Sequence, residues 1–297
     1  MKLCDEEWLP LSDKGFILLE PLNRPHFIDD AVLTGTPCTP YGLEKIEHLM
    51  PRLVDLKTIS ESDRELLQEL YSDELKQVRP PFVCAWIESE MNADELTSFL
   101  AQVLVGTGNR RRLIWRFYDP RVLSLAYGVL NLKQRKVLFQ DIKCWVFPWS
   151  TRWWSIELEV VGSHSSKSEG ELWPDSGQWA ILANSDLVHR TRSEVCAVRG
   201  LEAKDAPRIV RDIVNGMREA EANLKLSDSV QQSEYARLIV LFGDAFRFHS
   251  VLESLRPGLI NGRLKWADFR DSVSEEELNR LTEGVRVHQS TTPSIAK

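Results

Sequence analysis

The chain has 297 residues, 43% of them hydrophobic and 27% charged, a mix that suits one large globular domain or two modest ones with sizeable cores. The net charge is −7, and neither half pools Lys and Arg. A basic footprint able to neutralise phosphates is therefore lacking, and nucleic acid is not an expected partner.

In chain order, the opening stretch "MKLCDEEWLPLSDKG" is acidic and lacks a long apolar region, so it does not read as a signal peptide. No run of about 18 apolar residues occurs anywhere, so no segment is expected to span a membrane. The five cysteines, Cys4, Cys38, Cys84, Cys144 and Cys196, are odd in number and widely spaced, with no Cys-x-x-Cys. That pattern argues against a disulfide framework or a zinc knuckle and fits a reducing cytoplasm. "FILLE" (16–20) and "FVCAWIE" (82–88) are short apolar runs suited to buried strands, with a helix expected between them over 61–77. A second helix follows in "NADELTSFLAQVLVG", capped by Asn92 with Glu95 completing a capping box, and ended by Gly106. "VGTGNRRR" then reads as a helix end and turn, because a phosphate loop needs a preceding strand and a Lys-Ser/Thr ending. The run Arg110–Arg112 reads as a solvated loop. "LIWRFY" (113–118) is expected as a strand, followed by a helix, by "IKCWVF" (142–147) and by the alternating "WSIELEVV" (154–161).

The polar, Ser-rich segment around "GSHSSKSEGE" marks a linker, assigned to 163–171. Beyond it the period becomes helical. Ile209, Val210, Ile213, Val214 and Met217 form one stripe, and Tyr235, Leu238, Ile239, Phe242, Ala245, Phe246 and His249 form another. Ser274 and Glu277 frame a further capping box. The expected fold is an α/β lobe over 1–162, a mixed sheet flanked by helices, followed by an all-helical lobe over 172–297.

The densest polar knot is "RFYDPR", which sets Arg116, Tyr118, Asp119 and Arg121 close together. Asp119 suits a helix N-cap and Pro120 the first helical position, where its missing N–H costs nothing. Capping alone explains this pair, as the joint between a strand and a helix. An Asp119 carboxylate on the free amides also disfavours an anion site there. Arg116 and Arg121 are expected to pair with carboxylates, Asp119 among them.

None of the six histidines is spaced as His-x-x-x-His or set beside an acid in the manner of a metal site, and no cofactor is expected. His249, on its apolar stripe, reads as an interior residue, and His164 falls in the linker. "GSHSS" is not a nucleophile elbow, although a dispersed Ser/His/Asp triad stays open. The adjacent acids Glu6–Glu7 and Asp29–Asp30 point different ways and read as solvated surface.

"CWVFPWSTRWW" (144–154) concentrates four of the ten tryptophans. Two readings stand: core aromatics, or a partner surface anchored by Trp149, Arg152, Trp153 and Trp154. With the Pro-containing stretch joining two strands, Trp153 and Trp154 are expected to be partly exposed.

"RLIWRFYDPRVL", taken with "PYGLEKIEHLMPRLVDL" (40–56) and "SGQWAIL" (176–182), resembles the adaptor chaperones of the bacterial type VI secretion system, once known only as a domain of unknown function. Arg116, Phe117, Tyr118, Asp119, Pro120, Arg121, Val122 and Leu123 match that family's central motif, with Trp115 replacing its first Phe. Pro51, Leu53, Val54 and Leu56 match upstream, with Arg52 where the family commonly has Tyr; Gln178 and Trp179 match downstream. The resemblance spans roughly residues 15–185 and implies a non-catalytic protein. Such adaptors hold a cognate effector and help load it onto a VgrG spike, with the variable helical lobe as the cargo-binding part. The competing class is an enzyme, a hydrolase or nucleotide-binding protein, with Arg116, Asp119, Arg121 and His189 as polar candidates in a site between the lobes.

Overall fold

The computed structural model describes residues 1–5, 14–29, 33–76, 79–108, 111–158, 173–274, 276–277 and 280. The chain divides into two units, Met1–Leu182 and Ala183–Lys297. An α/β unit is followed by a helical one, as expected, but the division falls after Leu182. The segment expected as a linker, 163–171, lies outside the described residues, as do His164, His288 and Val160.

The first unit is built on β1 (Lys2–Leu3), β2 (Phe16–Leu19), β3 (Thr36–Pro37), β4 (Arg52–Asp55), α1 (Glu61–Glu74), β5 (Val83–Ser89), α2 (Ala93–Leu104), β6 (Val105–Gly108), β7 (Arg111–Ile114), α3 (Pro120–Val129), α4 (Leu132–Leu138), β8 (Ile142–Trp149), β9 (Arg152–Glu157) and α5 (Ser176–Leu182). Seven strands form one sheet in the order β1-β9-β8-β5-β2-β4-β3. All of its pairs are antiparallel, so the sheet is not the mixed one expected. β2 is buried at every position because both faces are covered. Ile17 and Leu19, two apart and hence on one face, pack in a cluster with Leu67, Leu70 and Tyr71 of α1. On β8, Trp145 packs against Phe117 and Phe139, which belong to the turn before α3 and the end of α4.

The helix starts follow local chemistry. Ser60 caps α1, accepting from the Asp63 N–H. Asn92 and Glu95 form the expected reciprocal box on α2. The end of α2 differs from expectation. Gly106 does not cap it; the helix stops at Leu104 and the chain passes straight into β6. β6 pairs with β7 as a separate two-stranded hairpin, so Arg111 and Arg112 lie on a strand, not in a loop. β7 ends at Ile114, and Trp115–Tyr118 leave the ladder.

In the second unit the described helices are α6 (Ser185–Arg199), α7 (Ala206–Leu224), α8 (Ser229–Phe242), α9 (Asp244–Arg247), α10 (Ser250–Ile260) and α11 (Trp266–Ser272). Ile209, Val210, Ile213, Val214 and Met217 are buried along α7, as their spacing requires. The second stripe is not one helix. α8 ends before Gly243, which has φ +57°, Phe246 is buried on α9, and His249 is the N-cap residue of α10. A glycine with positive φ turns the chain between α8 and the short α9, which share a core with Trp266 and Phe269. The Ser274–Glu277 box is formed.

Candidate functional site

The central motif begins in a turn. The Phe117 N–H bonds the Trp115 carbonyl at 2.8 Å and the Asp119 N–H bonds the Arg116 carbonyl at 3.0 Å, which curls the chain before α3. Asp119 caps that helix as read from sequence, its Oδ1 accepting from the Arg121 N–H at 2.9 Å, with Pro120 in the first turn. The same carboxylate takes the Arg121 guanidinium in a two-pronged pair, Nε to Oδ1 at 3.1 Å and Nη2 to Oδ2 at 2.7 Å. Asp119 is buried and both its oxygens are engaged.

Arg116 has a different partner, Glu20, on the residue that follows β2. Glu20 is fully buried. One oxygen takes Arg116 Nη2 and the Tyr118 hydroxyl, the latter at 2.7 Å, and the other takes the Leu22 N–H at 3.1 Å. Its backbone N–H bonds the Phe82 carbonyl at 2.8 Å, so the carboxylate is fixed where β2 meets β5. Burial, reinforced by Glu20, pushes the Tyr118 phenol well above its ordinary value. It therefore stays protonated as a hydrogen-bond donor. For Arg116, burial opposes the charge, but Tyr118, Glu20 and Asp119 outweigh it and shift the guanidinium upward. Sequence reasoning missed Glu20. The available signal was an acid closing a fully apolar strand run, which demands a buried cation or donor.

A third buried carboxylate lies close by. Glu74, in the last turn of α1, accepts the N–H groups of Phe82 and Val83 at 2.8 and 3.3 Å, with Arg79 Nη2 at 3.7 Å. Burial raises its pKa. Cys84, next along β5, is also buried, and burial first, then Asp119, Glu20 and Glu74, raises its thiol well above the usual range. That disfavours the thiolate a nucleophile or metal ligand would need. Among the described residues, no group of three or more His, Cys, Asp or Glu is placed to hold a metal.

The aromatic stretch corrects the expectation of exposure. Trp149, Trp153 and Trp154 are 5%, 2% and 3% exposed, so none offers a ring to a partner. Pro148 does not make the turn; it lies inside β8, opposite Trp153. The turn is Ser150–Thr151, both at positive φ (53° and 63°), the geometry of a two-residue hairpin. Trp153 and Trp154 then point to opposite faces of a sheet covered on both sides. Trp153 meets the Tyr71 ring edge-on at 5.7 Å; Trp154 packs on Trp149 and donates Nε1–H to the Trp149 carbonyl at 2.9 Å. Arg152 is half-buried, with Nη2 on the Cys4 carbonyl at 3.2 Å. Among the described residues the large exposed aromatics are elsewhere: Phe27 and Tyr41 in the first unit and Phe248 in the second, at 71%, 91% and 65%. Of the polar set weighed for an enzyme, Arg116, Asp119 and Arg121 belong to the first unit and His189, buried on α6, to the second.

Residues 39–136 match the model of a family described as a domain of unknown function (DUF4123), a family linked to type VI secretion effector adaptors. No curated protein and no solved structure matches the chain. The matched stretch contains the whole 116–121 motif and β4, where Leu53 and Val54 are buried and Leu56 follows, buried as well. Arg52 fits at its position by donating Nη1–H to the Thr34 carbonyl at 3.2 Å.

Proposed function

We propose that this chain is a non-catalytic adaptor chaperone that holds a cognate type VI secretion effector and helps load it onto a VgrG spike. The observation that carries the proposal is the family match over residues 39–136, which takes in the central motif. The chemistry of that motif supports the same reading. Asp119 grips Arg121, while Glu20 from the end of β2 holds Arg116 and takes the Tyr118 hydroxyl as a fixed donor, so these groups act as architecture. Cargo contact is assigned to the helical second unit, whose exposed Val230, Phe248 and Ile260 offer apolar contacts to a partner. The reducing cytoplasm is where such loading takes place.

Co-expression with a toxin whose gene is found beside this chain's gene tests the proposal. An adaptor raises the soluble yield of that toxin and co-purifies with it, and a Phe248→Ala variant, still folded, retains less of it. A toxin that accumulates equally without the chain, and never co-elutes with it, would rule the adaptor role out.

A further inference from the structure

Two helix starts in the first unit are closed by glutamine where glutamate would serve equally well as a cap. Asn131 and Gln134 box the start of α4, with bonds of 2.9 and 3.0 Å. Asp175 and Gln178 box the start of α5, both bonds at 2.9 Å. In each box the side-chain oxygen of the third residue does the capping. A glutamine then has an NH2 group to spare, which a glutamate lacks.

The two spare amides close on one another. Gln134 Nε2 donates to Gln178 Oε1 at 2.8 Å, and Gln178 Nε2 donates to Gln134 Oε1 at 3.0 Å. Their remaining N–H groups reach the Trp173 carbonyl at 2.9 Å and the Val129 carbonyl at 3.0 Å. Every donor of the pair is filled and each oxygen accepts twice. Each amide has a backbone N–H at its oxygen end and a backbone carbonyl at its nitrogen end, so neither can flip without loss. Beside the pair, the Trp173 and Trp179 rings stack at 6.3 Å, and each packs on Trp115 at 5.7 Å.

Besides the amide pair, α5 is held by Trp179, on Trp115 and Trp173, and by Leu182. It is two turns long, Leu182 is its one buried residue, and Ser176, Gly177 and Ala180 are exposed. A helix of that length does not hold itself in water. Immediately after it Ala183 begins the second unit, and α6 starts at Ser185.

We infer that the Gln134–Gln178 amide pair is a latch: closed, it keeps α5 docked in the first unit; open, it releases α5 locally while the sheet stays folded. Elements with few buried apolar contacts open below the global unfolding free energy. Removing either amide strands a donor of the other and takes one of the two bonds at its oxygen, so the two residues act as one element. The use of the latch rests on the adaptor reading: α5 is the last element before the cargo-binding unit begins at Ala183.

Hydrogen exchange read by mass spectrometry on the full chain tests this, comparing the wild type with Q134A, Q178A, Q178E and the Q134A/Q178A double variant. In the wild type, peptides over 176–182 are expected to exchange faster than those of β5 and β8. Either alanine variant should speed that exchange about tenfold, and the double no more than a single. Q178E keeps the capping oxygen but faces the Val129 carbonyl with a carboxylate, and should open α5 as Q178A does. Exchange over 176–182 that stays at the β8 rate in wild type and variants overturns the latch, as does additivity in the double. Loss of β8 protection in both Q178A and Q178E also overturns it, since α5 would then be integral to the sheet. A wild-type chain with α5 docked that captures no toxin defeats the adaptor reading and leaves the latch standing.

Discussion

The Asp119 carboxylate has two tasks, capping α3 and holding Arg121, and they separate by substitution. Asn is as good a cap as Asp but cannot make the charged two-pronged pair. Asp119→Ala is expected to cost about 1–2 kcal/mol, the upper part of the range for a lost cap, because Arg121 loses its partner as well. Asp119→Asn should cost less than half of that. Chemical denaturation measures both, and equal losses would mean that the pairing, not the cap, dominates. The cap was legible in sequence because it is local: Asp before Pro at a helix start satisfies amides one or two residues on. Glu20 was not legible as the partner of Arg116 and Tyr118, because it lies 96 and 98 residues away from them.

At the scale of elements, α7 and α8 approach closely at Gly216. A Cβ built there would lie 2.8 Å from the Ala236 Cα, a backbone atom that cannot swing aside. On an isolated helix Gly→Ala gains about 1 kcal/mol. Here overpacking, about 1–3 kcal/mol, opposes that gain, so Gly216→Ala is expected to lower the melting temperature. A variant as stable as wild type or more so would show that the helices separate freely. Helical periodicity is legible on α7 from its 3.6-residue stripe alone, and on α2 a capping box coincides with the stripe. The stretch over 235–249 reads in sequence as one stripe, because α8 and the four-residue α9, joined at Gly243, both present apolar residues to one core. β6 and the first half of β7 read in sequence as a helix end and turn, because a helix running directly into a strand leaves no break in composition.

For the molecule as a whole, the two units carry carboxylates perturbed in opposite directions. Glu74 in the first unit is raised above 4.5 by burial. Its contribution is present below 4.5 and is lost as pH rises through the folded value. Glu219 in the second is lowered from 4.5, chiefly by the Arg247 side chain bound to it at 3.0 Å through both oxygens. Its contribution is present above 4.5 and is lost as pH falls through the folded value. Glu74→Gln keeps an acceptor for the Phe82 and Val83 amides without a buried charge, so its advantage over wild type should grow from about pH 4 to about pH 7. Glu219→Gln should cost stability at about pH 7 and lose that cost toward about pH 3. Thermal melts of both variants across this range check the signs, and differences that stay flat with pH would refute them.

The sequence by itself determined the order of an α/β part and a helical part, the main helix spans and their caps, and the structural use of the Asp119–Pro120 joint. These depend on side chains within a turn or two of one another, so periodicity and capping chemistry reveal them. Only the tertiary structure decided that the sheet is antiparallel, that Glu20 anchors the arginine motif, that Trp149, Trp153 and Trp154 face inward, and that α5 belongs to the first unit through Gln134 and Gln178. Each of these is set by which distant segments pair and which faces they cover, and no local pattern encodes the partner across a gap of dozens of residues.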